Sequence, residues 1–189
     1  MELHIKNMVS NRCKLIVKSE LEKLELHYTS INLGVAEITE DIPLEKITLL
    51  DFNLKKSGLS LIEDKKGMLV EKIKNVIIEL VHYSEDQIKI NFSDYLSEKL
   101  KYDYTYLANL FSEHQGITIE HYFLNHKIER VKELLIYDEL NITEIAYRLH
   151  YSSVAHLSNQ FKKITGLTPS HFKKLKKKRR GTLEDVWIM

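Results

Sequence analysis

The chain has 189 residues, 43% of them hydrophobic, with 28 Lys and Arg against 27 Asp and Glu. That length holds one large domain or two small ones, with enough apolar material to bury a core. A single cysteine excludes an internal disulfide and fits a reducing cytoplasm, while two prolines and six glycines argue against a β-rich or loop-rich chain. The opening MELHIKNMVSNRCK has no basic segment followed by a long apolar run, so no signal peptide is expected. The run Val76-Ile77-Ile78 stops at Glu79, so no membrane span is expected either.

Residues 1–64 read as a unit. Leu3-His4-Ile5-Lys6 alternates as a strand does. A helix is predicted from Asn11 to Leu24, with Cys13, Ile16, Val17, Leu21 and Leu24 on its apolar side. Ile31, Leu33 and Val35 alternate as one further strand; Gly34 weakens it, and Ile38 breaks the parity, so it bends or ends near there. Pro43 opens a helix over Leu44–Lys56 that stops at Ser57-Gly58. Leu59–Ile62 is a short last strand. The expected order is β-α-β-α-β, a small α/β sandwich with two helices on one face of its sheet.

The start of this unit reads Met8-Val9-Ser10-Asn11-Arg12-Cys13 between the first strand and the first helix. That segment resembles the heavy-metal-associated, ferredoxin-like domain of copper chaperones, which carries Met-x-Cys-x-x-Cys there. Ser10 stands where that family has its first Cys. Two thiolates hold a soft ion such as Cu(I), whereas a hydroxyl stays protonated and is a poor ligand. Cys13, with His4 and Met8 as helpers, is the metal candidate that survives, and the bland alternative is a domain that kept the fold and serves another purpose.

Residues 65–83 form one amphipathic helix with a stripe of Leu69, Ile73, Val76, Ile77, Leu80 and Val81. The stripe has three candidate seats: the first domain, the following half, or the same helix of a second copy. Ser84-Glu85-Asp86-Gln87 reads as a junction. Phe92, Leu96 and Leu100 then line a short helix starting at Ser93, and a second helix spans Asp103–His114 with Tyr102, Tyr104 and Tyr106 clustered at its start.

Asn141 to Lys174 holds the most informative pattern. A short helix, Thr143–Leu149, with Ile145, Ala146 and Leu149 on one edge, meets a corner at His150 and Tyr151. A second helix starts behind Ser152 and Ser153 and runs to about Ile164, with Gly166 and Pro169 after it. Val154, Leu157, Phe161 and Ile164 form its apolar side, which leaves Ser153, His156, Asn159, Gln160 and Lys163 outside. Two short helices at a tight turn make a helix-turn-helix, whose second member can enter a major groove.

A shift of fifty positions brings out a repeat. Leu107, Phe111, Gly116, Thr118, His121 and Tyr122 fall on Leu157, Phe161, Gly166, Thr168, His171 and Phe172, and Asn109 falls on Asn159. Thr105, Tyr106 and Ala108 stand where Ala155, His156 and Ser158 stand in the second copy, so the frame recurs while the outer face changes. Charge is concentrated in the same region. From Asn141 to Arg180 the basic residues are Arg148, Lys162, Lys163, Lys173, Lys174, Lys176, Lys177, Lys178, Arg179 and Arg180, against Glu144 alone. A basic block on a near-neutral chain marks a polyanion partner.

Ile142-Thr143-Glu144-Ile145-Ala146, Tyr151-Ser152-Ser153, Phe161-Lys162-Lys163 and Thr165-Gly166-Leu167-Thr168-Pro169-Ser170-His171-Phe172 resemble the signature of the AraC/XylS family of bacterial transcription regulators. The resemblance spans roughly residues 90–175. It implies two helix-turn-helix units joined by a long helix, here Ile119–Tyr137, with recognition helices entering successive major grooves of double-stranded DNA. Lys101 and His150 occupy corners where that family often has Gly, and a non-Gly residue at positive φ costs on the order of 1 kcal/mol.

The fold expected is mainly α: two helix-turn-helix units joined by a long helix, preceded by a ferredoxin-like α/β sandwich. Residues 1–64 form the α/β domain, 65–86 the linker helix, 87–175 the DNA-binding part and 176–189 a basic tail. Base contact falls to Thr105, Ala108 and Asn109 in the first copy and to Ala155, His156 and Asn159 in the second. Phosphate contact falls to Ser153, Lys162 and Lys163. No cofactor is expected. RNA polymerase, a second copy of the chain and a small-molecule or metal effector are open as partners. No Gly-rich phosphate loop, nucleophile elbow or HExxH is present, and His121, His126, His150, His156 and His171 are scattered, so an enzyme is not expected. The competing reading is a metal-binding, metallochaperone-like protein with a helical scaffold.

Overall fold

The computed structural model describes residues 1–84, 90–137 and 140–175. Glu85, Asp86 and Gln87 of the expected junction, and the basic tail from Lys176, lie outside the described residues. The protein is mainly helical with a small antiparallel sheet near its N-terminus. The described residues divide into two compact units, one of residues 1–79 and 90–118, the other of residues 80–84, 119–137 and 140–175.

The first unit begins β1 (Glu2–Lys6), α1 (Asn11–Lys23), β2 (Tyr28–Asn32), β3 (Val35–Ile38), α2 (Leu44–Lys55) and β4 (Ser60–Ile62). The strands lie in the order β2-β3-β1-β4 with every neighbour antiparallel. Leu3 and Ile5 of β1, Ala36 and Ile38 of β3, Val17 and Leu21 of α1 and Leu50 and Leu54 of α2 share one core. β4 is an edge strand, and the Asp51 carboxylate of α2 accepts its Leu61 N–H at 2.8 Å. A capped edge is a poor template for another strand.

The expected single strand through Ile31 and Val35 is a hairpin. Leu33 and Gly34 form its two-residue turn, with Asn32 opposite Val35 and Gly34 at φ +78°. Leu33 sustained the apparent alternation because it is buried although it sits in the turn. The parity break at Ile38 is that turn seen from the sequence: Ala36 and Ile38 follow the alternation of the new strand. The order is therefore β-α-β-β-α-β, not β-α-β-α-β.

α3 (Lys65–Ile78) runs into a π-helical turn, Glu79–Tyr83. Asp64 caps it by accepting the Gly67 N–H at 2.7 Å. Except for half-buried Leu80, the expected stripe is buried, yet so are Glu71, Lys74 and Asn75 on the polar side. Glu71 pairs with Lys74 at 2.6 Å and accepts the Asn7 N–H at 3.2 Å, while Asn75 donates to the Leu33 carbonyl at 3.1 Å. A Cβ on Gly34 would collide with the Asn75 side-chain amide, so close approach and positive φ both require glycine there. α3 also packs against α4 (Phe92–Leu100) and α5 (Tyr104–Gln115). Of its three candidate seats, it takes the first domain and the following half.

The second unit holds α6 (Ile119–Tyr137), α7 (Ile142–Arg148) and α8 (Val154–Thr165). Ile128 and Val131 of α6, Ile145 and Ala146 of α7 and Leu157 and Phe161 of α8 form its core. Asn141 and Glu144 build a capping box that starts α7 one residue before the expected Thr143.

Candidate nucleic-acid interface

α5 and α8 each have twelve residues, with matching ends. Asp103 accepts the Thr105 and Tyr106 N–H groups at the start of α5, and Ser153 accepts the His156 N–H at the start of α8. Gly116 (φ +70°) and Gly166 (φ +76°) close them in the left-handed region, as C-terminal glycines do. Leu107, Leu110 and Phe111 turn inward on α5, and Leu157 and Phe161 on α8.

The opposite faces carry the predicted residues. Ala155, His156, Asn159, Lys162 and Lys163 are exposed along α8 at one-turn spacing, with Ser153 at its N-terminal end. Thr105 and Asn109 are exposed on α5, and Ala108 is half-buried between them. An Asn amide can pair bidentately with adenine N6 and N7, and Lys with phosphate. Ser153 commits its oxygen to the helix cap, which leaves its O–H as the group free to donate to a phosphate.

The two corners differ. Lys101 (φ +61°) and His150 (φ +54°) both adopt the left-handed backbone expected where glycine is usual. One residue lies between Lys101 and the cap at Asp103, whereas two lie between His150 and the cap at Ser153. The extra residue is Tyr151, which is 8% exposed, and its buried hydroxyl has no hydrogen-bond partner among the described residues. Burial pushes that phenol up to about 12. The Lys127 ammonium of α6 lies over the Tyr151 ring at 4.1 Å, and burial holds it down to about 8.

Sequence reasoning missed two residues that steady the outer faces. Ser152 Oγ lies 2.9 Å from His156 Nδ1, and the Tyr102 and Tyr106 rings stack at 5.7 Å between centroids. The available signal was spacing, since each partner stands four residues before the side chain it holds.

A protein-family model described as "Helix-turn-helix domain" matches residues 96–175. The solved C-terminal domain of AraT, a response regulator from Geobacillus stearothermophilus, superposes at TM-score 0.51 with 25% identity, over 59% of this chain and 88% of that one. Residues 96–175 form an AraC-type helix-turn-helix domain. The DNA-binding domain of the global transcriptional factor AdpA, solved with a target DNA, shares the fold of this helix-turn-helix domain (TM-score 0.51, 16% identity, 59% of this chain and 96% of that one). The uncharacterised HTH-type transcriptional regulator YtdP of Bacillus subtilis strain 168 is 25% identical over 108 residues, 57% of this chain and 14% of that protein. An uncharacterised HTH-type transcriptional regulator of Staphylococcus aureus is 34% identical over 96 residues, 51% of this chain and 12% of that protein. The chain thus spans about an eighth of the length of these curated relatives.

The residues proposed for metal do not fit a copper site. Ser10 Oγ faces Cys13 Sγ at 3.5 Å, so one sulfur is present where two are needed. Met8 is wholly buried in the α/β core, and His4 lies 3.4 Å from Glu2. Burial pushes the Cys13 thiol up, but hydrogen bonds from Ser10 and the surrounding backbone outweigh it, and the net shift is downward. Among the described residues no group of three or more His, Cys, Asp or Glu could hold a metal ion. Nor, among them, is any helix long and apolar enough to cross a membrane. A cavity of about 650 Å³ opens in the first unit beside β4, walled in part by Asp51, Ser60, Glu71, and His114 and Gln115 at the end of α5.

Proposed function

We propose that the chain is a sequence-specific DNA-binding transcription regulator of the AraC type, in which α5 and α8 each read one of two successive major grooves. The observation that carries this reading is the recurrence of one capped twelve-residue helix with an exposed Asn at the same position, Asn109 and Asn159. Base contact falls to Thr105, Ala108, Asn109, Ala155, His156 and Asn159, and phosphate contact to Ser153, Lys162 and Lys163. Residues 1–64 serve as a ferredoxin-like domain, a reading supported by the β-α-β-β-α-β order and the strand order β2-β3-β1-β4. That domain braces the first helix-turn-helix through α3, which carries polar bonds to the α/β domain and packs on α4 and α5.

Selection of binding sites from random duplex DNA tests the assignment. Asn159→Ala is expected to lose about 1–3 kcal/mol of discrimination at one base pair and to leave the others as they were. Unchanged preference at every position would remove Asn159 from the reading face.

A further inference from the structure

We propose that Ser152 fixes the tautomer of His156, so that α8 presents a ring N–H donor to DNA and favours guanine at the base it meets. The proposal rests on the DNA-reading role of α8 given above and adds which chemistry one of its side chains reads.

His156 is exposed but not loose. Its Nδ1 lies 2.9 Å from Ser152 Oγ, and its ring meets Tyr151 edge-on, with centroids 5.4 Å apart and planes at 83°. Tyr151 is itself buried in the core of the second unit, so the imidazole leans on a fixed surface. Among the described residues, Nε2 has no hydrogen-bond partner, and neither does the Ser152 hydroxyl apart from Nδ1. A neutral imidazole carries one proton, on one nitrogen or the other. If the serine donates its hydrogen to Nδ1, that nitrogen must offer its lone pair, and the ring proton sits on Nε2. This arrangement keeps the hydroxyl hydrogen within the protein, whereas the reverse arrangement hands it to solvent, since Ser152 is exposed. It also keeps the tautomer that imidazole favours in water.

An Nε2–H is a donor only. In the major groove guanine offers two acceptors, N7 and O6, side by side. Adenine sets its N7 beside a donor, and cytosine presents its N4 amine. The geometry therefore selects guanine most strongly and disfavours cytosine most strongly. The first copy supplies a contrast. A fifty-residue shift places Tyr102 and Tyr106 at the positions of Ser152 and His156, and those two rings stack. Position i−4 steadies the outer residue in both copies, but only in the second copy is that residue an imidazole, whose proton can sit on either of two nitrogens.

Two measurements on the full chain test the proposal. Long-range ¹⁵N–¹H correlation spectra of the ring should show the Nε2–H tautomer in the native protein and a mixture in Ser152→Ala. Site selection from random duplexes should show guanine at one position, lost in His156→Ala and weakened about threefold or more in Ser152→Ala. A native ring in the Nδ1–H form overturns the proposal, as does cytosine at that position. If His156→Ala relaxes one position while Ser152→Ala keeps it at native strength, the tautomer argument falls and the DNA-reading role stands. If the chain selects no sequence at all, that role falls and takes the guanine preference with it, and the spectra still decide the tautomer.

Discussion

The two helix-turn-helix copies share an interior and diverge outside. Phe111 and Phe161, Leu107 and Leu157, and Gly116 and Gly166 hold matching places, because a short helix pair has few ways to bury its apolar side. The match extends to the long helices. The same fifty-residue shift places Ile78 and Val81 on Ile128 and Val131, all buried, and α3 packs on α4 and α5 as α6 packs on α7 and α8. The outer faces do not match: α5 carries Ser112 and Glu113 where α8 carries Lys162 and Lys163. Packing constrains the shared positions, and the variable ones are those that would touch a partner. The difference suggests that the first copy sets placement and the second supplies most of the attraction to phosphate.

The largest expected effect tests the shared interior. Phe111→Ala and Phe161→Ala, each removing a wholly buried ring, should each cost about 3–5 kcal/mol in denaturant unfolding. A loss well below that in one copy would mean its frame is not the same. The next test separates the copies. Glu71→Ala leaves Lys74 charged and buried with no carboxylate beside it, which should cost about 3 kcal/mol. Amide exchange should quicken in α4 and α5, which pack on α3, and not in α7 and α8; equal quickening would refute separate bracing.

A pH test follows from Lys127, whose counterpart in the first copy is the buried Ile77. Burial lowers the Lys127 ammonium from 10.5 to about 8. Between those values the unfolded chain holds a proton that the folded chain has released, so stability should rise with pH across that window. Lys127→Met should abolish the rise and stabilise the protein near pH 7 by about 1–2 kcal/mol, since the desolvation cost disappears and the ring contact gives back only part of it. An identical pH profile in both proteins would contradict this. The smallest effect concerns charge. Lys163→Ala should flatten the dependence of log affinity on log salt by about one, and Glu113→Lys should steepen it by about as much.

Much of this was legible in the sequence where one residue type has one job. Asp103, Ser153, Gly116 and Gly166 mark helix ends, and the expected Ile119–Tyr137 helix has those bounds in the structure. The hairpin was not legible because buried Leu33 preserved the alternation across the turn. The double seat of α3 was hidden for a related reason. Glu71, Lys74 and Asn75 lie off the apolar stripe, and only their bonds to each other, to Asn7 and to Leu33 make their burial tolerable. The outer-face residues of α5 and α8 were named from the repeat and the family resemblance. Their steadying neighbours Ser152 and Tyr102 needed coordinates, because a four-residue spacing recurs everywhere along a helical chain.

The most direct test is titration of fluorescent duplex DNA with the purified chain at low and at physiological ionic strength, followed by footprinting of the preferred sequence. The expected result is tight binding that weakens steeply with salt, with two protected stretches one helical turn apart. Indifference to every duplex at low ionic strength, with both helix pairs shown to be folded, would contradict the account.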